Sequence, residues 1–318
     1  MIARNQTRPI PWRVPARLSS LLRAMCFAVP LLAAPAGAEH TRLVPRLRAG
    51  QVIFYQLEFS SSRTTRVESR ISTAGLPPSA NVAASCVLQV NVVEVDASGI
   101  RLKTYLSEKA PASRGPSAPP SEPAPDRLVE VTVKPDGTPS GIKGFDQLSP
   151  AQQFAWNSWL ARFTSSLTYP GPGVHVGEKW QRSEPETAPS PLAKLVWLKK
   201  YQYVRDEHCG PSGAAGGGPC AVILVRAELR QKSPPDNSTP DDYKLRNLVT
   251  RGTAVGSNET ILYISRVTGL MVRSTEEAQQ SMDATIALAD GSNQVRYLMT
   301  AKSRSEVLLL PDSPQDVR

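Results

Sequence analysis

The sequence predicts a mainly β protein, with one large curved antiparallel sheet, a half barrel or barrel-like, and one amphipathic helix packed on it. Many short segments alternate apolar and polar residues, which is typical of half-buried strands. Turn-forming Gly, Pro, Asn and Asp residues separate these segments. About ten to twelve strands are expected, more than most single sheets hold without curling or closing.

The first predicted strands show a clear alternation of apolar and polar residues. Residues 51–59 place Ile53, Tyr55, Leu57 and Phe59 on one face. The turn Asp-Ala-Ser-Gly at 96–99 joins strands 87–95 and 100–106 into a hairpin, and a strand at 129–133 ends in Lys-Pro-Asp-Gly-Thr.

The later strands also form hairpins. Residues 195–204 pair with 221–230, where Arg226, Glu228 and Arg230 point outward and indicate one solvated face. The remaining strand-like segments lie at 63–71, 247–254, 261–264, 270–274, 283–289, 294–302 and 306–310.

One segment is predicted to be a helix. Ser149 is a suitable N-cap, Pro150 suits the first helical position, and Gln152 completes a capping box. An apolar stripe at helical spacing follows, formed by Ala155, Trp156, Trp159, Leu160, Phe163 and Leu167.

The aromatic residues of this stripe, Trp156, Trp159 and Phe163, are the candidate ligand-binding residues. Most amphipathic helices bury such a stripe in the core, so simple packing on the sheet is the favoured interpretation. Two Trp residues on one face keep the alternative open that the helix covers a ligand.

The N-terminus predicts a signal peptide over 1–38, followed by a single β-rich domain over 39–318. Five Arg residues precede an apolar run at 24–34, and Ala-Gly-Ala at 36–38 offers a cleavage site. The run is too short to cross a bilayer, so we expect export to the periplasm or beyond and no membrane-spanning segment. Arg23, three residues before Cys26, argues against lipidation.

Charge argues against nucleic-acid binding. Without the leader, 32 basic residues face 28 acidic ones, a formal balance of +4. The basic residues are scattered singly instead of forming the stripe that nucleic acid requires. We expect a monomer whose partner is a hydrophobic ligand or an envelope protein.

The placement of the cysteines agrees with export to an oxidising compartment. Cys209 and Cys220 flank a Gly-rich loop between two predicted strands, and we expect a disulfide between them because closing that loop restricts the unfolded chain. Cys86 is expected to be a buried small hydrophobe.

Three Pro-rich stretches, 110–126, 183–191 and 233–242, are predicted to be mobile loops. The first is interpreted as a flexible insertion, with a polyproline docking segment as the alternative.

The sequence has no recognisable catalytic, metal or cofactor motif. His175 and His208 fall in predicted loops and lack convergent metal donors. Ser140 and Lys143 match a Ser-x-x-Lys pattern, but in a turn and without its companion motifs. We therefore expect a non-enzymatic protein with no cofactor and no metal.

A resemblance follows from the order of these elements: Gly-Gln-Val-Ile-Phe-Tyr at 50–55, the two Asp/Gly turns, the helix, Val-Gly-Glu-Lys-Trp at 176–180, and the hairpin at 260–270. This order resembles uncharacterised bacterial exported proteins with a lipoprotein-carrier-like half barrel. The resemblance implies a helix across a concave sheet that holds acyl chains or partner segments.

Three functions remain in consideration. The first is a non-enzymatic extracytoplasmic protein that binds a lipid, an acyl chain or a lipoprotein in the concave sheet. The second is a structural module of the cell envelope that binds other proteins through strand edges or Pro-rich loops. The third is an unrecognised hydrolase, which needs a cleft where a nucleophile meets a base.

Overall fold

The computed structural model describes residues 40–69, 79–108, 127–171, 173–186, 190–210 and 218–311. The predicted signal peptide and the insertion at 110–126 lie outside these residues. The elements are β1 (Val52–Ser69), β2 (Ser79–Asp96), β3 (Gly99–Glu108), β4 (Arg127–Val133), β5 (Pro139–Lys143), α1 (Pro150–Ser166), β6 (Lys179–Pro185), β7 (Leu195–His208), β8 (Pro219–Gln231), α2 (Asp241–Leu245), β9 (Leu248–Ser265), β10 (Met271–Leu288) and β11 (Val295–Leu309).

The eleven strands form one antiparallel sheet in the order β5-β4-β3-β2-β1-β11-β10-β9-β8-β7-β6. The chain starts at the centre, runs outward to the β5 edge, crosses with α1 to the β6 edge and returns to the centre. The first and last strands pair there, with Tyr55 opposite Leu309. In the described part of the chain β5 and β6 do not pair, so the sheet is open between these edges. The predicted fold class is confirmed.

Alternate positions on the strands bury one face of the sheet. Ile53, Tyr55 and Leu57 of β1 and Val307 and Leu309 of β11 all lie in the main core. Helix α1 packs on β1, β2 and β11 and covers this core. A smaller cluster lies farther along the same sheet, formed by Leu192, Leu195, Leu229, Ala254, Met282 and Ala284.

Several segments predicted as separate strands are single long strands. Residues 52–59 and 63–69, from two predicted strands, both belong to β1, which continues through Ser60, Ser61 and Ser62. The segments 247–254 and 261–264 likewise form β9. The polar residues between them suggested interruptions, but antiparallel strands tolerate solvent on a face.

Two features of the predicted loops are corrected. Residues 183–185 end strand β6, which the sequence did not predict. Residues 233–242 were predicted to be mobile, but Ser238 in this stretch is buried and its hydroxyl donates to the Thr250 carbonyl (3.2 Å). Helix α2 begins at Asp241.

The predicted disulfide between Cys209 and Cys220 is confirmed and joins the ends of β7 and β8. Cys86 is buried in the main core, at the position on β2 that is directly opposite Leu57.

Candidate functional site

Helix α1 begins as the sequence predicts. The Ser149 side chain accepts a hydrogen bond from the Gln152 backbone (3.3 Å), and the Gln152 side chain accepts one from the Ser149 backbone (2.9 Å). This capping box satisfies two of the backbone donors that every helix start leaves free. The helix therefore has a defined start and orientation over the sheet.

The predicted ligand-binding residues all face the sheet and are buried. Trp156 and Trp159 are 0 % exposed and Phe163 is 5 % exposed. The Trp156 indole donates to Thr104 Oγ1 on β3 (3.0 Å), and the Trp159 ring stacks on Phe163 with its centroid 5.3 Å away. A ligand would reach these side chains only after α1 moved away from the sheet. Their role as ligand contacts stays a prediction.

A polar layer borders the aromatic core under α1. Arg162 is 5 % exposed, and its guanidinium donates to Ser305 Oγ on β11 (2.5 Å) and lies 3.2 Å from Glu276 on β10. Ser158 and Ser305 hydroxyls are hydrogen bonded at 3.1 Å. Burial lowers the pKa of Arg162, and the neighbouring Glu276 carboxylate opposes that shift. The space between helix and sheet is thus closed by charged and polar groups.

An aromatic cluster packs beside this layer. The Trp180 and Tyr201 rings are stacked at 5.2 Å, and Tyr169 meets both rings edge-on. Tyr201 is hydrogen bonded to Ser165 of α1 (2.8 Å), whereas the buried Tyr169 hydroxyl has no partner among the described residues. Burial raises the pKa of Tyr169, and the nearby Tyr201 adds to the shift.

A groove in the described part of the chain has a volume of about 1000 Å³. It extends over six neighbouring strands, from β8 through β9, β10, β11 and β1 to β2. Its lining is almost entirely small or polar, with Ser, Asn, Ala, Arg, Lys, Glu and Gln side chains and a single Val. We call it the mid-sheet groove.

Charged residues cross the mid-sheet groove in a single row. Arg226 is directly opposite Glu259, Glu259 is opposite Glu277, and Glu277 is opposite Arg304. Directly paired residues point to the same face. Glu276, the neighbour of Glu277 in the chain, contacts Arg162 of α1, so the row lies on the face opposite the helix.

The charges in the groove are incompletely paired. Arg226 forms an ion pair with Glu259 (2.9 Å), but in the described residues Glu277, Lys302 and Arg304 form none. Glu259 and Glu277 are like charges directly opposite each other, an arrangement that destabilises a sheet. The groove therefore presents two cations and one carboxylate without an ion pair in the described residues. A partner that carries charges of both signs would pair with them.

The residues weighed for catalysis do not converge. Ser140 lies on the edge strand β5 and donates to the Thr132 carbonyl (3.3 Å), and His208 contacts the Gly210 carbonyl (3.0 Å). Glu276 and Glu277 point to opposite faces, as adjacent strand residues must. The sequence did not predict the groove, because its lining comes from six strands whose order is not visible in any local pattern. The outward-facing Arg226 and Glu228 were a partial signal, since they indicated a charged, solvated face.

The described residues contain no helix that is long and apolar enough to cross a membrane. They also contain no set of three His, Cys, Asp or Glu side chains placed to hold a metal ion together.

Comparison with known proteins assigns no family. No protein-family model matches the chain, and no curated protein matches it. Among solved structures, the outer membrane protein OprG of Pseudomonas aeruginosa aligns at 9 % identity and a TM-score of 0.17, covering 83 % of this chain and 97 % of OprG. A mutant of the Rh. blastica porin aligns at 9 % identity and a TM-score of 0.20, covering 82 % of this chain and all of the porin.

A hot dog fold protein of unknown function from Alicyclobacillus acidocaldarius aligns at 10 % identity and a TM-score of 0.10, covering 84 % of this chain and 82 % of that protein. These TM-scores are too low to support an argument about fold or function. The resemblance to lipoprotein carriers stays a prediction. The fold defines the class: an antiparallel β protein with one open eleven-stranded sheet and a disulfide between neighbouring strands.

Proposed function

We propose that this chain is a non-enzymatic, exported interaction module that binds a polar, extended segment of an envelope protein in the mid-sheet groove. The observation that carries the proposal is the row of incompletely paired charges on four of the six strands that line the groove, β8, β9, β10 and β11. The disulfide is compatible with an oxidising compartment outside the cytoplasm.

The dimensions of the groove suit such a segment. Six strands span five inter-strand spacings, about 24 Å, which corresponds to roughly seven residues of extended chain. The polar lining and the charges of both signs favour a segment that also carries both signs. Complementary charges increase the association rate and fix the orientation of the segment.

Site-specific photo-crosslinking tests this proposal. A photoreactive residue in place of Gln279, which lines the groove, is expected to form a protein adduct in the cell envelope. The same residue in place of Lys134, in an exposed turn, is the matched control. Reversing both free cations, Lys302→Glu with Arg304→Glu, should lower the adduct yield about tenfold. Equal adduct yields with and without the two charge-reversing substitutions would exclude the groove as the binding site.

A second candidate is a hydrophobic ligand, such as an acyl chain or a lipoprotein, held between α1 and the sheet. It is favoured by three polar groups at that interface, the Trp159 indole N–H, the Arg162 Nε–H and the Tyr169 hydroxyl, which are buried without a hydrogen-bond partner in the described residues. Each such group costs about 1–3 kcal/mol. A ligand with a polar end that displaced α1 would offer partners to these groups.

A further inference from the structure

Strand β2 is covered along only part of one edge. It pairs with β1 from Ser79 onward, whereas β3 pairs with it only from Cys86 onward, where Glu108 is opposite. The first part of β2, Ser79–Ser85, therefore has β1 on one side and no strand on the other side within the described part of the chain. We call this stretch the β2 open edge.

The backbone of the β2 open edge presents hydrogen-bonding groups to solvent. On the β1 side, the Val92 N–H donates to the Gln51 carbonyl (2.9 Å). In an antiparallel strand the backbone groups of successive residues alternate between the two neighbouring strands. The even-numbered residues of β2 therefore bond to β1. The residues whose N–H and C=O groups point to the open edge are Asn81, Ala83 and Ser85, and all three are exposed.

The two outermost strands of the sheet carry features that discourage further pairing. Strand β5 is short, begins at Pro139 and ends at Lys143. Strand β6 carries Lys179 and Arg182 and ends at Pro185. Short length, charged side chains and proline are the usual protection of edge strands. The β2 open edge has the sequence Ser-Ala-Asn-Val-Ala-Ala-Ser, with no proline and no charge.

Strand β9 also extends past its neighbour, but its free edge is covered. Its pairing with β8 stops at Gly256. Beyond that point the Thr250 N–H donates to Thr239 Oγ1 (2.9 Å), and the Gly252 N–H donates to the Pro235 carbonyl (2.9 Å). The loop between β8 and α2 thus takes the place of a strand. No described residue covers the β2 open edge in this way.

The chain that follows β3 does not suit the β2 open edge. Extending the β2–β3 register beyond Glu108 would place Pro111 opposite Ala83. Proline has no N–H, so it cannot donate to the Ala83 carbonyl, and for this reason proline is rare inside a sheet. The Pro-rich insertion is therefore a poor occupant, and a strand from another polypeptide suits the edge better.

We propose that the envelope-protein segment bound in the mid-sheet groove also adds a strand to the β2 open edge. This inference rests on the proposed function, and it defines the segment further. The groove reaches the edge, because Asn81, Val82 and Ala83 belong to its lining. Main-chain hydrogen bonds to an exposed edge are a common mode of peptide recognition.

The two surfaces specify two parts of the bound segment. The β2 open edge has only small or β-branched uncharged side chains, so a charged residue directly opposite would find no counter-charge there. The pairing part is therefore an uncharged stretch of about seven residues without proline. The part next to it carries charges of both signs and lies across the groove.

Photo-crosslinking from the edge tests the inference. Ser85 is exposed and is not part of the groove lining. A photoreactive residue in its place is expected to form an adduct with the same protein that crosslinks from position 279. The same residue in place of Lys143, on the protected edge strand β5, is the control and should give no adduct.

A proline at the centre of the edge gives a second test. Ala83→Pro removes an N–H that points to the open edge, and it should lower the adduct yield from position 85 about tenfold. Ala83→Ser keeps the N–H and a small side chain, so it should leave the yield unchanged. Circular dichroism confirms that both variants fold, and the crosslink from position 85 does not depend on the proline variant.

The outcomes separate this inference from the proposed function. Without an adduct from position 279, both are overturned. An adduct from position 279 but none from position 85, or an unchanged yield in folded Ala83→Pro, would overturn the added strand and leave the groove as the binding site. An adduct from position 85 that contains only peptides of this chain would also overturn the inference, because a second copy or the insertion would then occupy the edge.

Discussion

Arg162 of α1 and Glu276 of β10 form an ion pair of 3.2 Å, in which the arginine side chain is 5 % exposed and the carboxylate 23 %. The same guanidinium donates to Ser305 of β11, so one side chain ties the helix to two central strands. The concave face is thereby closed by a charged layer at the border of its aromatic core. This closure favours a binding site elsewhere on the sheet.

Removing the carboxylate at position 276 is expected to destabilise the fold strongly. Glu276→Gln leaves a buried guanidinium without its counter-charge, which costs about 3 kcal/mol of unfolding free energy. Urea denaturation measures this loss.

The adjacent substitution Glu277→Gln is the matched control, because Glu277 lies on the other face and forms no ion pair within the described residues. It should change the unfolding free energy by less than about 0.5 kcal/mol. Equal effects of the two substitutions would contradict the structural role of the Arg162 pair.

The disulfide is expected to stabilise the β7–β8 hairpin by restricting the unfolded chain. Cys209→Ala with Cys220→Ala should lower the unfolding free energy by about 3 kcal/mol, the value for a loop of this length. Reduction of the unchanged protein should cause a similar loss, and a reductant should not affect the double variant. A reductant effect that persists in the double variant would show that another group is responsible.

The buried Tyr169 hydroxyl is expected to make the stability of the fold sensitive to alkaline pH. Burial raises the pKa of its hydroxyl above the unfolded value of about 10, so the unfolded chain ionises first as the pH rises, and the fold loses stability between the unfolded and the folded pKa. Tyr169→Phe should therefore reduce the loss of stability above about pH 10. At pH 7 it should be neutral or slightly stabilising, because the hydroxyl lacks a partner among the described residues.

Tyr201→Phe is the comparison for this prediction. The Tyr201 hydroxyl is hydrogen bonded to Ser165, so its removal should cost about 1 kcal/mol at pH 7. Denaturant unfolding at pH 7 and above pH 10 measures both variants. A larger loss at pH 7 for Tyr169→Phe than for Tyr201→Phe would contradict the assignment.

Local patterns predicted much of the fold. Alternation identified the buried faces of β1 and β8, and the Ser149 capping box located the helix start. The pairing of β1 with β11 was not predictable, because Tyr55 and Leu309 are far apart in the chain. The full length of β1 was also missed, since Ser60 to Ser62 carry no apolar alternation.

The mid-sheet groove likewise depends on pairing between strands whose residues are far apart in the sequence. Glu277 and Arg304 carry no motif of their own, and only the sheet register places them in one row. The aromatic spacing of α1 correctly indicated a buried stripe, but spacing alone does not distinguish core packing from ligand contact.

Native mass spectrometry of the protein purified from its own envelope fraction, followed by lipid extraction, tests the central claim most directly. We expect a complex with a polypeptide and no acyl species, and we expect Lys302→Glu with Arg304→Glu to remove the polypeptide. A bound acyl species that survives these substitutions and is lost with Trp159→Ala would contradict the groove as the functional site and favour a ligand beneath α1.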